Sequence, residues 1–470
     1  MKTATLLLSL SLAACVGAPQ LKPSDVKMPD RYTDEPLPGL SMQAGEVVPA
    51  QWWTRFNSPE LNATVGAALA GNRNLAAAQA SLKQAQELLA ASRGARLPSA
   101  ELAASGGRQK YGAAFLGNNA SAFPAFTAYS IGVNVSYVLD YAGGVRSGVR
   151  QRQALADVQR SSLDAAQLAL IGNVVLQAFE VAAAREQIRA VEGIVDEDNR
   201  NLSLVQRALE AGSVARVDLL TAQSQLAQDQ TLLPPLRQQL SAARHALAVL
   251  VGQPPGGWSP PDFELSAFVL PVDIPLVLPS QLAQRRPDIR ADEARVRAAA
   301  AAVGVATANL YPQLKLSGSL AEQAVSVSTL FDEGSTAFTL LGNLTAPLFN
   351  GGRLRAERRA SIAAGQAALA QYEQTVLVAF GQIADVLTAL EHDAEQITAQ
   401  EQALSVAESN LSLTRESYSA GNVGVLQILD AERAAQRARL GVVRARAQRL
   451  ADTAELMVGL GGESIPAAAR

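Results

Sequence analysis

The sequence predicts a mainly α-helical protein that also carries membrane-spanning β-strands, with the whole pattern written twice along the chain. Three observations lead to this fold class. Residues 201–214 and 410–423 match at seven of fourteen positions. A long proline-free helical run leads into each of these segments, and alternating apolar and polar residues precede each run. An internal repeat of helix, two strands, long helix, turn and helix accounts for all three.

The N-terminal residues have the pattern of a bacterial secretory signal that ends in a lipobox. Lys2 precedes an apolar run, and the tripeptide LAA precedes Cys15, the only cysteine. A single thiol cannot form an intrachain disulfide, whereas a covalent lipid accounts for it. An ordinary signal peptide with an incidental cysteine is the alternative. Val16 stands where an aspartate would retain a lipoprotein at the inner membrane, so we expect sorting to the outer membrane.

Composition excludes several classes of function. The net charge of −3 provides no basic field for nucleic acid. The two histidines, His245 and His392, lie on helical runs and form no zinc-ligand set or catalytic triad with the single cysteine. There is no phosphate-binding glycine loop either. We therefore expect no enzyme activity, no metal site, and no cofactor apart from the lipid on Cys15.

Membrane crossing by helices is not expected after the signal segment. No later run has 18 consecutive apolar residues, and the nearest, 168–184, is interrupted by Asn173, Gln177 and Glu180. Alternation such as Tyr129 to Tyr137 instead suits strands with one apolar and one polar face. A soluble antiparallel sheet is the alternative.

The strands must be completed by other copies if they cross a membrane. We place two strands at about 99–141 and two at about 313–349. Four strands leave two edges, which lipid does not tolerate, and four are too few to close a barrel. Three copies would supply twelve strands.

The helical runs are longer than ordinary globular helices. Residues 146–211 would form a helix about 100 Å long at 1.5 Å per residue. Apolar positions from Tyr372 to Ile397 recur at alternating spacings of three and four, a heptad pattern that predicts packing against neighbouring helices. A two-stranded coiled coil is the alternative. Pro234-Pro235 should interrupt the first return helix, which follows the first turn. The proline-rich stretch 253–283 should be an extended connector, as polyproline II or an edge strand, and not a helix.

These assignments divide the chain into six segments. They are a signal peptide 1–14, a lipidated extended segment 15–58, repeat 1 at 59–252, a connector 253–286, repeat 2 at 287–461 and a C-terminal tail 462–470.

Four stretches carry a family resemblance. They are 285–318 with RRPDIRADEARVR, 52–82 with WWTRFNSPEL, 347–357 with PLFNGGRLRAE and 424–434 with GVLQILDAERA. In their order along the mature chain they resemble the TolC-like outer-membrane efflux proteins, specifically the NodT-type lipoproteins of RND efflux systems. No single stretch is diagnostic, but their order is specific.

The resemblance implies a homotrimer in contact with outer-membrane lipid. It implies a 12-stranded barrel in the outer membrane and a 12-helix α-barrel in the periplasm, built from long helical hairpins. The lumen would be an exit duct for drugs or other small molecules, fed by an inner-membrane RND pump through a periplasmic membrane-fusion adaptor. A duct for type I protein secretion shares this architecture and is the alternative, while a purely structural envelope spacer would explain the helices but not the strands.

The resemblance also implies a gate at the periplasmic end. Leu426 and Asp430 occupy constricting positions and, four residues apart, share a helix face. Threefold symmetry would make a leucine ring and a carboxylate ring, with Asp218 as an additional lumen charge. The alternative for Asp430 is a surface aspartate paired with Arg433. The matching positions in repeat 1 are Val217 and Thr221, so the gate would differ between the halves.

The two turns that end the long helices would be hairpin tips. Gly212 and Gly421 would permit positive φ and reverse the chain. Small tips would let an adaptor hairpin approach closely, although the same residues also suit a plain turn. The predicted adaptor-docking tips are Gly212, Ser213, Val214, Ala215, Gly421, Asn422, Val423, Gly424 and Val425.

Overall fold

A computed structural model describes most of the chain, with gaps at both ends and at five internal places. The described residues are 32, 42–44, 48–110, 124–271, 274–276 and 279–461. The predicted signal segment 1–14, the lipidation site Cys15 and the C-terminal tail 462–470 lie outside these residues.

Fifteen helices and strands of the described chain, numbered in sequence order and leaving out short 3₁₀ turns, build the fold. They are β1 (Met42–Ala44), α1 (Pro59–Gly71), α2 (Arg73–Gly94), β2 (Ser99–Gln109), β3 (Phe126–Leu139), α3 (Gly144–Glu210), α4 (Arg216–Gln230), α5 (Leu233–Val251), β4 (Ile274–Leu276), α6 (Pro279–Arg285), α7 (Pro287–Ala308), β5 (Gln313–Ala324), β6 (Thr336–Thr345), α8 (Arg353–Ser419) and α9 (Val425–Gly459).

These elements form two compact units, and each unit takes segments from both halves of the sequence. Unit 1 contains the described parts of 81–159 and 291–373, and unit 2 those of 26–80, 160–290 and 374–461. The long helices α3 and α8, of 67 residues each, contribute to both units. The predicted combination of long helices with four strands is confirmed among the described residues.

Unit 1 is organised around an antiparallel sheet in the order β2-β3-β5-β6. Gly132 of β3 pairs with Ala103 of β2 and with Ala321 of β5. A Cβ at Gly132 would lie 2.3 Å from the Cβ of Ala321, so only glycine allows the central strands to approach this closely. Within the described residues, β2 and β6 are the two edges of this sheet.

The two faces of this sheet differ in polarity. Leu102, Phe338 and Leu340 point to one face and are largely exposed, Leu340 to 81%. The register places Glu101 beside Asn134 on the opposite, polar face. An exposed apolar face opposite a polar one is the pattern of a sheet that borders lipid.

Unit 2 is built on helix packing. In α8 the predicted heptad positions Val376, Ile383, Leu387 and Leu390 are buried. Small residues allow close approach: a Cβ at Gly441 of α9 would lie 2.1 Å from the amide oxygen of Gln400. The heptad pattern therefore marks a true packing seam of unit 2, in agreement with the prediction.

Among the residues that the structure describes, one helix, α3, contains a window long and apolar enough to cross a membrane by composition alone. More than half of that window is buried in the structure. Its apolar character is therefore accounted for by packing within the protein.

Prolines interrupt or begin several helices of the described chain. The first return helix stops at Gln230 and restarts as α5 at Leu233, with proline in its first turn, as predicted. The expectation that 253–283 is extended throughout is wrong, because α6 begins at Pro279 within it. Proline is well tolerated in the first turn of a helix, where its missing N–H would have no intrahelical partner.

Candidate functional site

The candidate site is the pair of hairpin turns in unit 2, which share one hydrogen-bond pattern. Gly212 has φ +74° and Gly421 has φ +76°. The amide of Gly212 donates to the carbonyl of Leu209, and the next amide, of Ser213, donates to Ala208, both at 2.9 Å. The second turn repeats this pattern at the same distances. Both helices thus end in a glycine cap that reverses the chain, as the sequence predicts.

The two hairpins pack against each other immediately behind their turns. Val205 and Ala222 of the first hairpin form a buried cluster with Val425 and Leu429 of the second. Half-buried apolar side chains from both hairpins surround this cluster, namely Leu202, Val214, Leu219 and Tyr418. The tips are therefore held as one packed end and not as two independent loops.

The predicted tip residues differ in how accessible they are. Gly212, Ser213, Ala215, Gly421, Asn422 and Gly424 are exposed, whereas Val214 and Val423 are half-buried. Val425 is buried in the cluster between the hairpins. Any contact that Val425 makes with a partner is thus limited by its packing, whereas the glycines and polar residues are open to one.

Asp218 caps the helix that follows the first turn. Its Oδ2 accepts a hydrogen bond from the backbone N–H of Ala215 at 2.9 Å. A carboxylate near a helix N-terminus also interacts favourably with the helix dipole. The structure therefore gives Asp218 a structural role in addition to the predicted role as a gate charge.

Leu426 and Asp430 lie one turn apart on the exposed face of α9. The exposed fraction is 44% for Leu426 and 76% for the side chain of Asp430. The structure also contains the ion pair that the alternative interpretation names, since Nη1 of Arg433 lies 3.4 Å from Oδ1 of Asp430. Asp430 is thus both exposed and paired along its own helix.

A buried polar network lies farther from the tips, and the sequence analysis missed it. Glu432 of α9 is only 2% exposed. Its Oε1 accepts a hydrogen bond from Arg415 of α8 at 2.9 Å, and its Oε2 accepts one from Asn201 of α3. Arg415 also lies 3.8 Å from Glu197. The signal available in the sequence was a glutamate among the small apolar residues of α9.

A pair of aspartates extends the same network. Asp198 of α3 is 3% exposed, and Asp229 of α4 is buried beside it. Burial is the main cause that raises the pKa of Asp198 to about 7, followed by hydrogen bonding to Asp229 and by the charges of nearby carboxylates. Burial likewise raises the pKa of Glu432, and the bond from Arg415 opposes this shift.

The second hairpin contains a similar aspartate pair. Burial, together with a hydrogen bond to Asp452 and its charge, raises the pKa of Asp393 to about 7, while Arg449 acts in the opposite direction. Gln448 donates to both oxygens of Asp452 at 3.0 Å. In each hairpin, one aspartate lies on the helix before the turn and the other on the helix after it. The aspartate after the turn is three residues farther along the sequence from the turn glycine than the aspartate before the turn. Within the described residues, no group of three His, Cys, Asp or Glu side chains is arranged to hold a metal ion.

Comparison with known families and proteins identifies the architecture. The profile of the family described as Outer membrane efflux protein matches residues 64–253 and 278–462. The chain belongs to the outer membrane efflux protein family. This family consists of outer-membrane channels, in agreement with the family resemblance and the localisation expected from the sequence.

Individual relatives of this outer membrane efflux protein match over nearly their whole length. The chain is 32% identical to the pyoverdine export outer membrane protein OpmQ of Pseudomonas aeruginosa, over 96% of this chain and 95% of the relative. It is 26% identical to the probable outer membrane lipoprotein SilC of Salmonella typhimurium, over 97% and 98% of the two chains.

Solved structures of channels are similar as well. The outer-membrane channel OprN aligns with a TM-score of 0.86 at 27% identity, over 96% of this chain and all of that one. The open state of the Neisseria gonorrhoeae MtrE outer membrane channel aligns with a TM-score of 0.80 at 26% identity, over 95% and 98%. The fold of this efflux protein is therefore that of outer-membrane channels.

Proposed function

We propose that three copies of this efflux protein form the exit duct of a tripartite efflux system, which carries small molecules across the outer membrane. The observation that carries the proposal is the four-stranded sheet of unit 1. It has an exposed apolar face, an opposite polar face, and two edges among the described residues.

The edges require partners if the sheet lies in lipid. Unpaired backbone N–H and C=O groups cost several kcal/mol each in a membrane, so an open sheet edge is not stable there. Pairing β2 of one copy with β6 of the next satisfies both edges. Three copies then close a twelve-stranded barrel whose polar face lines a lumen.

The hairpin tips suit the periplasmic end of this duct. Exposed Gly212, Gly421 and Gly424 leave room for helical hairpins of an adaptor, which would connect the duct to an inner-membrane RND pump. Leu426 and Asp430 would narrow the mouth as threefold rings, and Asp218 would add charge nearby. Docking of the adaptor and pump would open this mouth.

The anchor and the cargo are also part of the proposal. Cys15 would carry the lipid that attaches the N-terminus to the outer membrane. Relatives are named for different cargoes, among them pyoverdine export for OpmQ, cation efflux for CusC of Escherichia coli and solvent efflux for SrpC of Pseudomonas putida. This range fits a shared duct whose cargo is selected by its pump, so we propose small molecules as a class.

The decisive experiment combines assembly with conductance. The mature protein is purified in detergent, cross-linked, and inserted into planar lipid bilayers. We expect cross-linked trimers and discrete ion-conducting channels. A monomer that never conducts would refute the proposal. In the native bacterium, deletion should raise sensitivity to small toxic compounds, whereas loss of a secreted protein alone would favour the type I secretion alternative.

A further inference from the structure

A buried carboxyl pair joins the two arms of the first hairpin. Asp198 lies on α3 and Asp229 on α4, and both side chains are more than nine-tenths buried. Oδ2 of Asp198 has no hydrogen-bond partner in the structure. A buried oxygen without a donor is costly, and two ionised carboxylates cannot hydrogen-bond to each other. A proton on Asp198 removes both problems, because its O–H can then donate to Asp229.

The carboxylates around this pair favour such a proton. The charges of three carboxylates raise the pKa of Asp198, namely Asp229, Glu432 and Glu197. Of the nearby cations, Arg415 of α8 is engaged by Glu432 and Glu197, and Arg433 by Asp430 and Gln225. Like charges in a buried site disfavour further ionisation.

A chain of contacts connects the pair to the face of α9 that carries the proposed gate. Nε2 of Gln225 donates to Oδ2 of Asp229 at 2.5 Å. Arg433 Nε donates to the oxygen of the same Gln225 amide, and Arg433 Nη1 reaches Asp430. The orientation of the Gln225 amide thus couples the carboxyl pair on one side to Arg433 on the other.

We propose that a proton shared by Asp198 and Asp229 holds Arg433 in place, and that loss of this proton loosens the channel mouth. This inference rests on the proposed duct function. When the proton leaves, two adjacent buried carboxylates repel each other and Asp229 shifts away. Gln225 then loses its acceptor, Arg433 loses its fixed position, and the two hairpins separate more easily. Asp198 and Asp229 are positioning residues in this scheme, since neither lines the mouth.

The test is a pH titration of single-channel conductance with an isosteric variant. We expect wild-type conductance to rise as pH increases from about 6 to about 8, the range in which the shared proton is lost. Asp198→Asn keeps the size of the side chain and donates a permanent hydrogen bond to Asp229. It should therefore fold, and its conductance should lose this pH-dependent rise. A rise that persists in Asp198→Asn would overturn the proposal.

The second hairpin supplies a matched control. Asp393→Asn makes the same change in the Asp393–Asp452 pair, which has no described contact with Gln225 or Arg433. The conductance rise should remain in this variant. Its loss in both variants would show a general stiffening of the hairpins and would contradict a specific link to Arg433. If a chelator or added Mg²⁺ shifted the pH profile, a bound cation would be the cause, and this result would also contradict the shared proton.

An infrared measurement separates this inference from the proposed function. A protonated buried carboxyl has a C=O stretching band that disappears on ionisation. The difference spectrum between about pH 6 and about pH 8 should show this band in wild type, with loss of the Asp198 component in Asp198→Asn. If the protein never conducts, the duct proposal fails. The infrared result does not depend on conductance, so the absence of the Asp198 band would refute the shared proton even then.

Discussion

The guanidinium of Arg433 lies 3.4 Å from the carboxylate of Asp430, one helical turn away on α9. The same guanidinium donates a hydrogen bond to Gln225 of the other hairpin. A residue on the proposed gate face is thus tied to the interior of the hairpin bundle. Because the Arg433–Asp430 pair is solvent-accessible, it contributes little to the free energy of unfolding. Its main effect is to fix the position of the two side chains.

Removing the proposed constriction should open the mouth. The double variant Leu426→Ala and Asp430→Ala deletes one apolar and one charged ring, so single-channel conductance in planar bilayers should rise clearly. The matched control is Val217→Ala with Thr221→Ala at the equivalent positions of the first hairpin, which should change conductance less. Unchanged conductance in the first double variant would count against this gate.

A bulky charge at the second tip should prevent docking without disturbing the turn. Gly424 has φ −88°, which any residue can adopt, and its added Cβ would meet only the flexible Gln427 side chain at 3.2 Å. Gly424→Glu should therefore abolish efflux in cells while trimers and membrane insertion stay normal. Gly424→Ala should retain efflux, and survival of efflux in the glutamate variant would refute docking at this position.

The apolar face of the sheet should not accept a charge. Leu340→Lys places an ammonium on the face that we assign to lipid, at a cost of about 2–4 kcal/mol near the bilayer centre. The yield of assembled trimer in outer-membrane fractions should fall. Thr339→Lys, the adjacent residue on the opposite face, should assemble nearly normally, and the reverse order of yields would show that the two faces are wrongly assigned.

The ion pair between half-exposed Arg415 and buried Glu432 should contribute to stability. Arg415→Gln leaves Glu432 buried with Asn201 as its donor, so we expect a loss of about 1–3 kcal/mol in the free energy of unfolding. Urea denaturation followed by circular dichroism measures this loss. Arg439→Gln breaks the half-exposed pair with Glu408 and should cost less than about 1 kcal/mol. Equal losses would contradict the importance of burial.

The stability of the folded protein should fall as pH rises towards neutrality. The folded-state pKa of Asp198 and of Asp393 is raised from 3.8 to about 7, so the folded chain binds more protons than the unfolded chain between these values. The stability that these two groups contribute is present in full below the unfolded-state pKa of 3.8, and it decreases as the pH rises to about 7. Thermal unfolding at successive pH values should show this decrease, and the Asp198→Asn, Asp393→Asn double variant should flatten it.

Local patterns in the sequence were sufficient for the fold class and for the turns. The heptad spacing that includes Val376 and Ile383, and the glycines at 212 and 421, act through backbone geometry and the burial of one helix face. These constraints operate over a few residues and are therefore visible in one chain without coordinates. The same holds for the alternation along β3, which predicts one apolar face before any strand pairing is known.

What only the tertiary structure decided is the buried polar site. Asp198, Asp229 and Glu432 are separated by up to 234 residues, and each looks like an ordinary charged position on an amphipathic helix. Their burial depends on how four helices pack, and a pKa shift depends on that burial and on neighbours distant in sequence. The helix α6 inside the proline-rich connector was also missed, because proline both begins helices and disrupts them. Periodicity thus determined which faces are buried, and packing alone determined which charges share a buried site.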